Sequence, residues 1–200
     1  MKTLKASYFN RGVKEEWWNA ATHAVGAGCL FAVTIFSNSA HAKLLSAALG
    51  ITLLFSMLYH GAVLIKKKEF YRRLDQASIF LSVGVTGGVY ASAASSSYWL
   101  IPFLLSGVGI LTYLFFYGEL LDNLIVLLTN FLALVSVYIF CFESELHSPL
   151  SPMALHFFIG NIIYSCGVWF YVRDIRKWYH TIWHCFVLLG AGVHVSCFLI

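Results

Sequence analysis

Seven runs of apolar residues divide this chain, at about 20 to 37, 43 to 65, 75 to 92, 98 to 117, 123 to 142, 152 to 172 and 178 to 200. Each is close to the ~20 residues that a helix needs to cross the hydrocarbon of a bilayer. With 60% of residues apolar and only 11% charged, the chain is far from the mix of a soluble domain. The expected fold is an all-α integral membrane protein, a seven-transmembrane helix bundle. It forms a single domain over 20–200 behind a short interfacial segment, 1–19. The weakest division falls between the third and fourth runs, where 91–98 is a small-residue stretch rather than a charged loop. A six-helix reading would reverse the C-terminus. The first apolar run has no small-residue cleavage site after it, so it does not read as a removable signal peptide.

Basic residues set the orientation. With seven helices, Lys2, Lys5, Arg11 and Lys14 share a side with Lys66, Lys67, Lys68, Arg72 and Arg73, and with Arg173, Arg176 and Lys177, while Lys43 lies opposite. Twelve against one is a strong positive-inside bias, placing the N-terminus in the cytoplasm and the C-terminus outside. The formal charge of +4 is thus a matter of topology and not of a nucleic-acid partner. Lys66 to Arg73 reads as a solvated anchor ahead of a lipid-headgroup site. Trp17 and Trp18 read as an interfacial aromatic pair. Cys29, Cys141, Cys166, Cys185 and Cys197 stand singly in or at the ends of apolar runs with no CxxC pair, and are expected to be buried thiols.

This topology sorts the eight histidines. His41, His147, His156 and His194 fall to the outer half, and His23, His60, His180 and His184 to the cytoplasmic half. His60 lies six residues before Lys66 and His184 seven after Lys177, so both sit roughly 10 Å from their basic anchors. His180 and His184, four residues apart, share a helix face and can close on one metal ion. Ser56 precedes His60 by one turn, Asp75 opens the third apolar run at the same level, and Glu16, Asn19 and His23 enter it on one face of the first helix. Each has a plain structural alternative. Ser56 can bond back to its own helix, Asp75 can cap one, Glu16 can be a solvated acid, and His23 can bond across helices. His194, about 15 Å beyond His184, is too far to join. Convergence of costly ionisable groups at one depth is what favours a functional site.

In that order and spacing, Glu16-x-x-Asn19-x-x-Thr22-His23-x-x-Gly26, Ser56-x-x-x-His60, Asp75, and His180-x-x-x-His184 followed by Cys185 to His194 resemble the haemolysin III branch of the progestin and adipoQ receptor family. The wider superfamily of membrane hydrolases includes the alkaline ceramidases. The resemblance covers about 15 to 200. It implies Zn2+ held by His60, His180 and His184, with Asp75 contacting it through water, Ser56 nearby, and an inward N-terminus. One departure falls on the third helix: the family often continues its Asp with a His and an Ala-Gly-Thr-Tyr-Thr-Pro-like stretch, where this chain has Gln76 and then Val83 to Gly88.

Three imidazoles leave a fourth zinc position open, the pattern of a catalytic site. The reading that follows is a zinc-dependent hydrolase of lipid amide or ester bonds in membrane lipid homeostasis. Asp75 orients or deprotonates water, Ser56 bonds Asp75 or the developing oxyanion, and Glu16, Asn19 and His23 fix the first helix against the site. A membrane lipid is then substrate or ligand, and the expected location is a bacterial inner membrane, crossed many times. Two other classes compete: a sensor or receptor of membrane state with structural zinc, and a pore-forming cytolysin.

Overall fold

A computed structural model describes residues 12–62, 65–116, 119–142, 151–174 and 176–199. Lys2, Lys5, Arg11 and His147 lie outside the described residues, as do the side chains of Lys66 and Cys141. The described residues form seven helices in order: α1 (Val13–Phe36), α2 (Ala40–Gly61), α3 (Ile65–Ala93), α4 (Leu100–Phe115), α5 (Glu119–Phe142), α6 (Pro152–Val172) and α7 (Tyr179–Ser196). The described residues contain no strand. By length and composition α1, α2 and α6 are apolar enough to cross a membrane, and α4 is a shorter apolar helix.

The chain turns where local chemistry stops a helix. Ser39 caps α2 by accepting from the Ala42 N–H, and Ser151 caps α6 by accepting from the Ala154 N–H with Pro152 in its first turn. The small-residue stretch after α3 is a true break. Ser95 takes a left-handed φ of 58°, Ser96 N–H bonds back to Ala91 O at 2.9 Å and Ser95 N–H to Ser92 O at 3.1 Å. This paired return is the Schellman end of a helix, and it separates α3 from α4 where hydropathy alone gives a weak boundary.

Helix α3 starts ten residues earlier than its apolar run, because the Lys- and Arg-rich segment from Ile65 holds no breaker and is made of good helix formers. Asp75 therefore lies inside a helix, and the capping alternative fails. It is α3 that organises the interior. Val85 and Val89 pack with Leu45, Leu49 and Leu53; Ala77 and Phe80 with Tyr113, Ile125 and Leu132; Tyr90 and Ala94 with Phe140, Ala154 and Phe157. At Gly84 and Gly87 the neighbouring helices come so close that a Cβ would run into Ser106 and Ser136. Consecutive helices pack side by side from α1 through α4, and α6 lies along α7. Contacts of α7 with α1 and α2 close the ring, and α5 meets α6 through Phe140 and Phe157, whose ring centroids are 4.5 Å apart.

The outer surface is apolar, as the exposed Ile35, Leu104, Leu134, Ile162 and Leu189 show, whereas the interior holds many polar groups. That arrangement suits lipid surroundings. It also corrects the expectation for the cysteines: Cys29, Cys166 and Cys185 are free thiols on the outside of the bundle, where an apolar surround serves them as well as a core. Trp17 and Trp18 are exposed and meet edge to face at 5.1 Å.

Candidate metal centre

One end of the bundle gathers imidazoles. His60 on the last turn of α2 and His180 and His184 on the first two turns of α7 are buried, and one ligand atom from each lies within 4.8 Å of the others. His60 Nε2 and His180 Nε2 stand 3.2 Å apart, and the three ring centroids are 4.7–5.0 Å from one another. The ring closure of α7 onto α1 and α2 brings them together.

The opposite ring nitrogens are committed elsewhere. His60 Nδ1 lies 2.7 Å from Glu16 Oε2, a carboxylate that Lys68 Nζ also approaches at 3.2 Å. His180 Nδ1 lies 3.2 Å from Asp174 Oδ2, and His184 Nδ1 lies 3.2 Å from the backbone carbonyl of Asn19. Carboxylates and carbonyls only accept, so each Nδ1 carries the hydrogen and donates it. Helix α1 supplies most of this frame from one buried face, with Trp17 and Trp18 on the other. Glu15 accepts from the Trp178 N–H at 3.1 Å, just where the chain takes a φ of 68° before α7. Asn19 Oδ1 accepts from Thr181 Oγ1 at 2.6 Å. His23 stacks on His184 with centroids 3.7 Å apart and planes 9° from parallel, and neither of its ring nitrogens has a hydrogen-bond partner among the described residues.

The donor set fits a metal ion. With Nδ1–H donated outward, His60 and His180 direct Nε2 lone pairs at each other with no hydrogen between them, a repulsive contact that a cation relieves. Tetrahedral ligands at zinc–nitrogen distances of about 2.0–2.1 Å stand roughly 3.4 Å apart, and the observed 3.2 Å is close to that.

Other residues singled out in the sequence lie outside the three-histidine group. Asp75 is buried on α3 and contributes no atom to the three-histidine group. Ser56 is buried one turn from His60, and its hydroxyl makes no hydrogen bond among the described residues, so the helix back-bond does not form. Gln76, at the divergent position of the third helix, is buried with Oε1 3.5 Å from the Tyr171 hydroxyl. His194 is fully buried on the far turns of α7, with Nδ1 3.4 Å from the Tyr90 hydroxyl and its ring stacked on Tyr164.

Sequence reasoning missed Glu15, Asp174 and Thr181. Asp174 carried a faint signal, a lone acid among Arg173, Arg176 and Lys177 six residues before His180. Beside the centre, a cavity of about 160 Å³ runs between α2, α3, α5, α6 and α7, lined mainly by apolar groups such as Leu53, Val83 and Val187. Tyr171 and Trp183 also line it, with rings 5.5 Å apart, and Tyr171 lies 6.2 Å from the His180 ring.

An all-helical chain with an apolar exterior and a buried histidine cluster that can hold a metal ion is a membrane protein of a definite kind. The profile of the family described as "Haemolysin-III related" matches residues 11–195, and the chain belongs to that family. It is similar to the "Hemolysin-3 homolog" of Bacillus subtilis (strain 168), at 26% identity over 206 residues that cover 94% of each chain. It is also similar to the "Hemolysin-3" of Bacillus cereus, at 26% identity over 216 residues covering 98% of this chain and 96% of that one.

Proposed function

We propose that this is a multi-pass bacterial inner-membrane protein with seven spans and an inward N-terminus, holding zinc at His60, His180 and His184 to hydrolyse amide or ester bonds of membrane lipids. The observation that carries the reading is the meeting of imidazoles whose Nδ1 atoms are all engaged by acceptors, which leaves Nε2 for the ion. The twelve-to-one distribution of basic residues supports the orientation.

Zinc supplies Lewis-acid activation of water and of a carbonyl oxygen. The rest falls to the chain. Glu16 and Asp174 hold two imidazoles in their donor tautomer, while the burial of all three keeps bulk water out. Asp75 accepts a proton from the attacking water, and Ser56 donates a hydrogen bond to the carbonyl oxygen as charge develops on it. The apolar cavity receives the lipid chain.

Purified protein reconstituted in bilayers of defined lipids tests this. Release of free acid from an acyl lipid by the wild type, and its loss in Asp75→Asn, supports a hydrolase. If no lipid is cleaved while Asp75→Asn still abolishes a cellular phenotype, the protein acts as a sensor with structural zinc. One observation favours that second reading: none of the three imidazoles lines the cavity.

A further inference from the structure

The short segment between α6 and α7 does more than connect them. Asp174 leaves the end of α6, and its carboxylate returns to His180 Nδ1 at 3.2 Å with only 12% of its side chain exposed. On the other flank of the segment Trp178 takes a left-handed φ of 68°, a conformation costly for a side chain as large as tryptophan. Its N–H is held at 3.1 Å by Glu15 of α1. The connection is thus held at Asp174 and at Trp178, and one tie ends on the ring of a candidate ligand.

We propose that Asp174 is a positioning residue for the metal centre, completing a carboxylate–histidine–metal relay through His180 that matches the one from Glu16 through His60. The proposal rests on the reading of the three histidines as a metal site. A carboxylate on Nδ1 fixes the ring's tautomer and rotation and makes Nε2 a stronger donor to the ion. His184 has only a carbonyl for the same task. His60 and His180 are therefore the strongly held pair, and they are the two whose Nε2 atoms already stand 3.2 Å apart. Because Asp174 belongs to the connection and not to a spanning helix, the α6–α7 segment gains control of the ligand geometry.

The test uses the full-length protein purified in detergent and stripped of metal, titrated with zinc against a chelator and separately loaded with cobalt(II). Asp174→Ala is expected to bind zinc about 10–100-fold more weakly than wild type. Asp174→Asn, which keeps an acceptor but no charge, is expected to fall between. The visible cobalt bands of both should shift as the ligand field of His180 weakens. Arg176→Gln, an exposed neighbour in the same segment, should leave affinity and spectrum unchanged. Wild-type affinity and an unshifted cobalt spectrum in Asp174→Asn overturn the proposal, and this variant decides the matter if Asp174→Ala does not fold. A wild type that takes up neither metal overturns instead the metal site on which the proposal rests.

Discussion

His60 and His180 lie 120 residues apart in the chain yet present Nε2 to Nε2 at 3.2 Å, each with its Nδ1 against a carboxylate. Without a cation this contact opposes two lone pairs, so occupancy should stabilise the fold. Zinc added to metal-stripped protein at about 100 times its dissociation constant should raise stability by roughly 2.7 kcal/mol, seen as a higher unfolding temperature in detergent. His60→Ala should abolish that rise. An equal rise in the variant would show that zinc acts elsewhere.

Glu16 accepts from His60 and also meets Lys68, so its carboxylate ties a ligand to the basic start of α3. Glu16→Gln should weaken zinc binding about 10–100-fold in a chelator competition. Asn19→Ala should have a smaller effect on affinity, because the backbone carbonyl that receives His184 Nδ1 survives the change. The loss of its bond to Thr181 should appear chiefly as lower stability, about 1–3 kcal/mol. If Asn19→Ala proved the more damaging to zinc affinity, the role given to the Glu16 carboxylate would be wrong.

At Gly84 a Cβ would run into Ser106 Cβ and sit 2.7 Å from the Pro102 carbonyl. A backbone oxygen cannot swing aside as a side chain can, so α4 must shift. Gly84→Ala is expected to cost about 1–3 kcal/mol by overpacking relative to Gly107→Ala, which meets nothing within 4 Å and shares the same gain in helix propensity. Thermal unfolding of the two variants side by side reads the difference.

The proposed seven-span topology, drawn from the charge distribution, puts the two ends of the chain on opposite sides. A C-terminal alkaline phosphatase fusion, active only outside the cytoplasm, should be active in cells, and an N-terminal one inactive. Active enzyme at the N-terminus, or none at the C-terminus, would reverse the orientation or remove a span.

Much of this arrangement is legible in the sequence because a bilayer simplifies the problem. Apolar run length sets the helices, and the run at 152 to 172 coincides with α6. Run length fails where a helix outlives its apolar part, as α3 does before Asp75, and where small residues turn without charge, as Ser95 does. Spacing and depth bring His23, His60, His180 and His184 to one level, and the family resemblance singles out the three that the structure groups. Glu15 was not readable, since what brings it to Trp178 is the ring closure of α7 against α1, a long-range contact that no local pattern encodes. Asp174 was not, because a carboxylate six residues from His180 reads equally well as a solvated partner of the neighbouring Arg173, Arg176 and Lys177. Thr181 was hidden differently, as an ordinary helical threonine until Asn19 is seen beside it.

If His60, His180 and His184 together hold one metal ion, the protein should retain that ion when it is purified from cells. Elemental analysis of the protein purified from cells, set against His180→Ala/His184→Ala prepared identically, measures it most directly. A single zinc ion per chain in the wild type and none in the double variant is the predicted result, whereas equal zinc in both, or none in either, would contradict it.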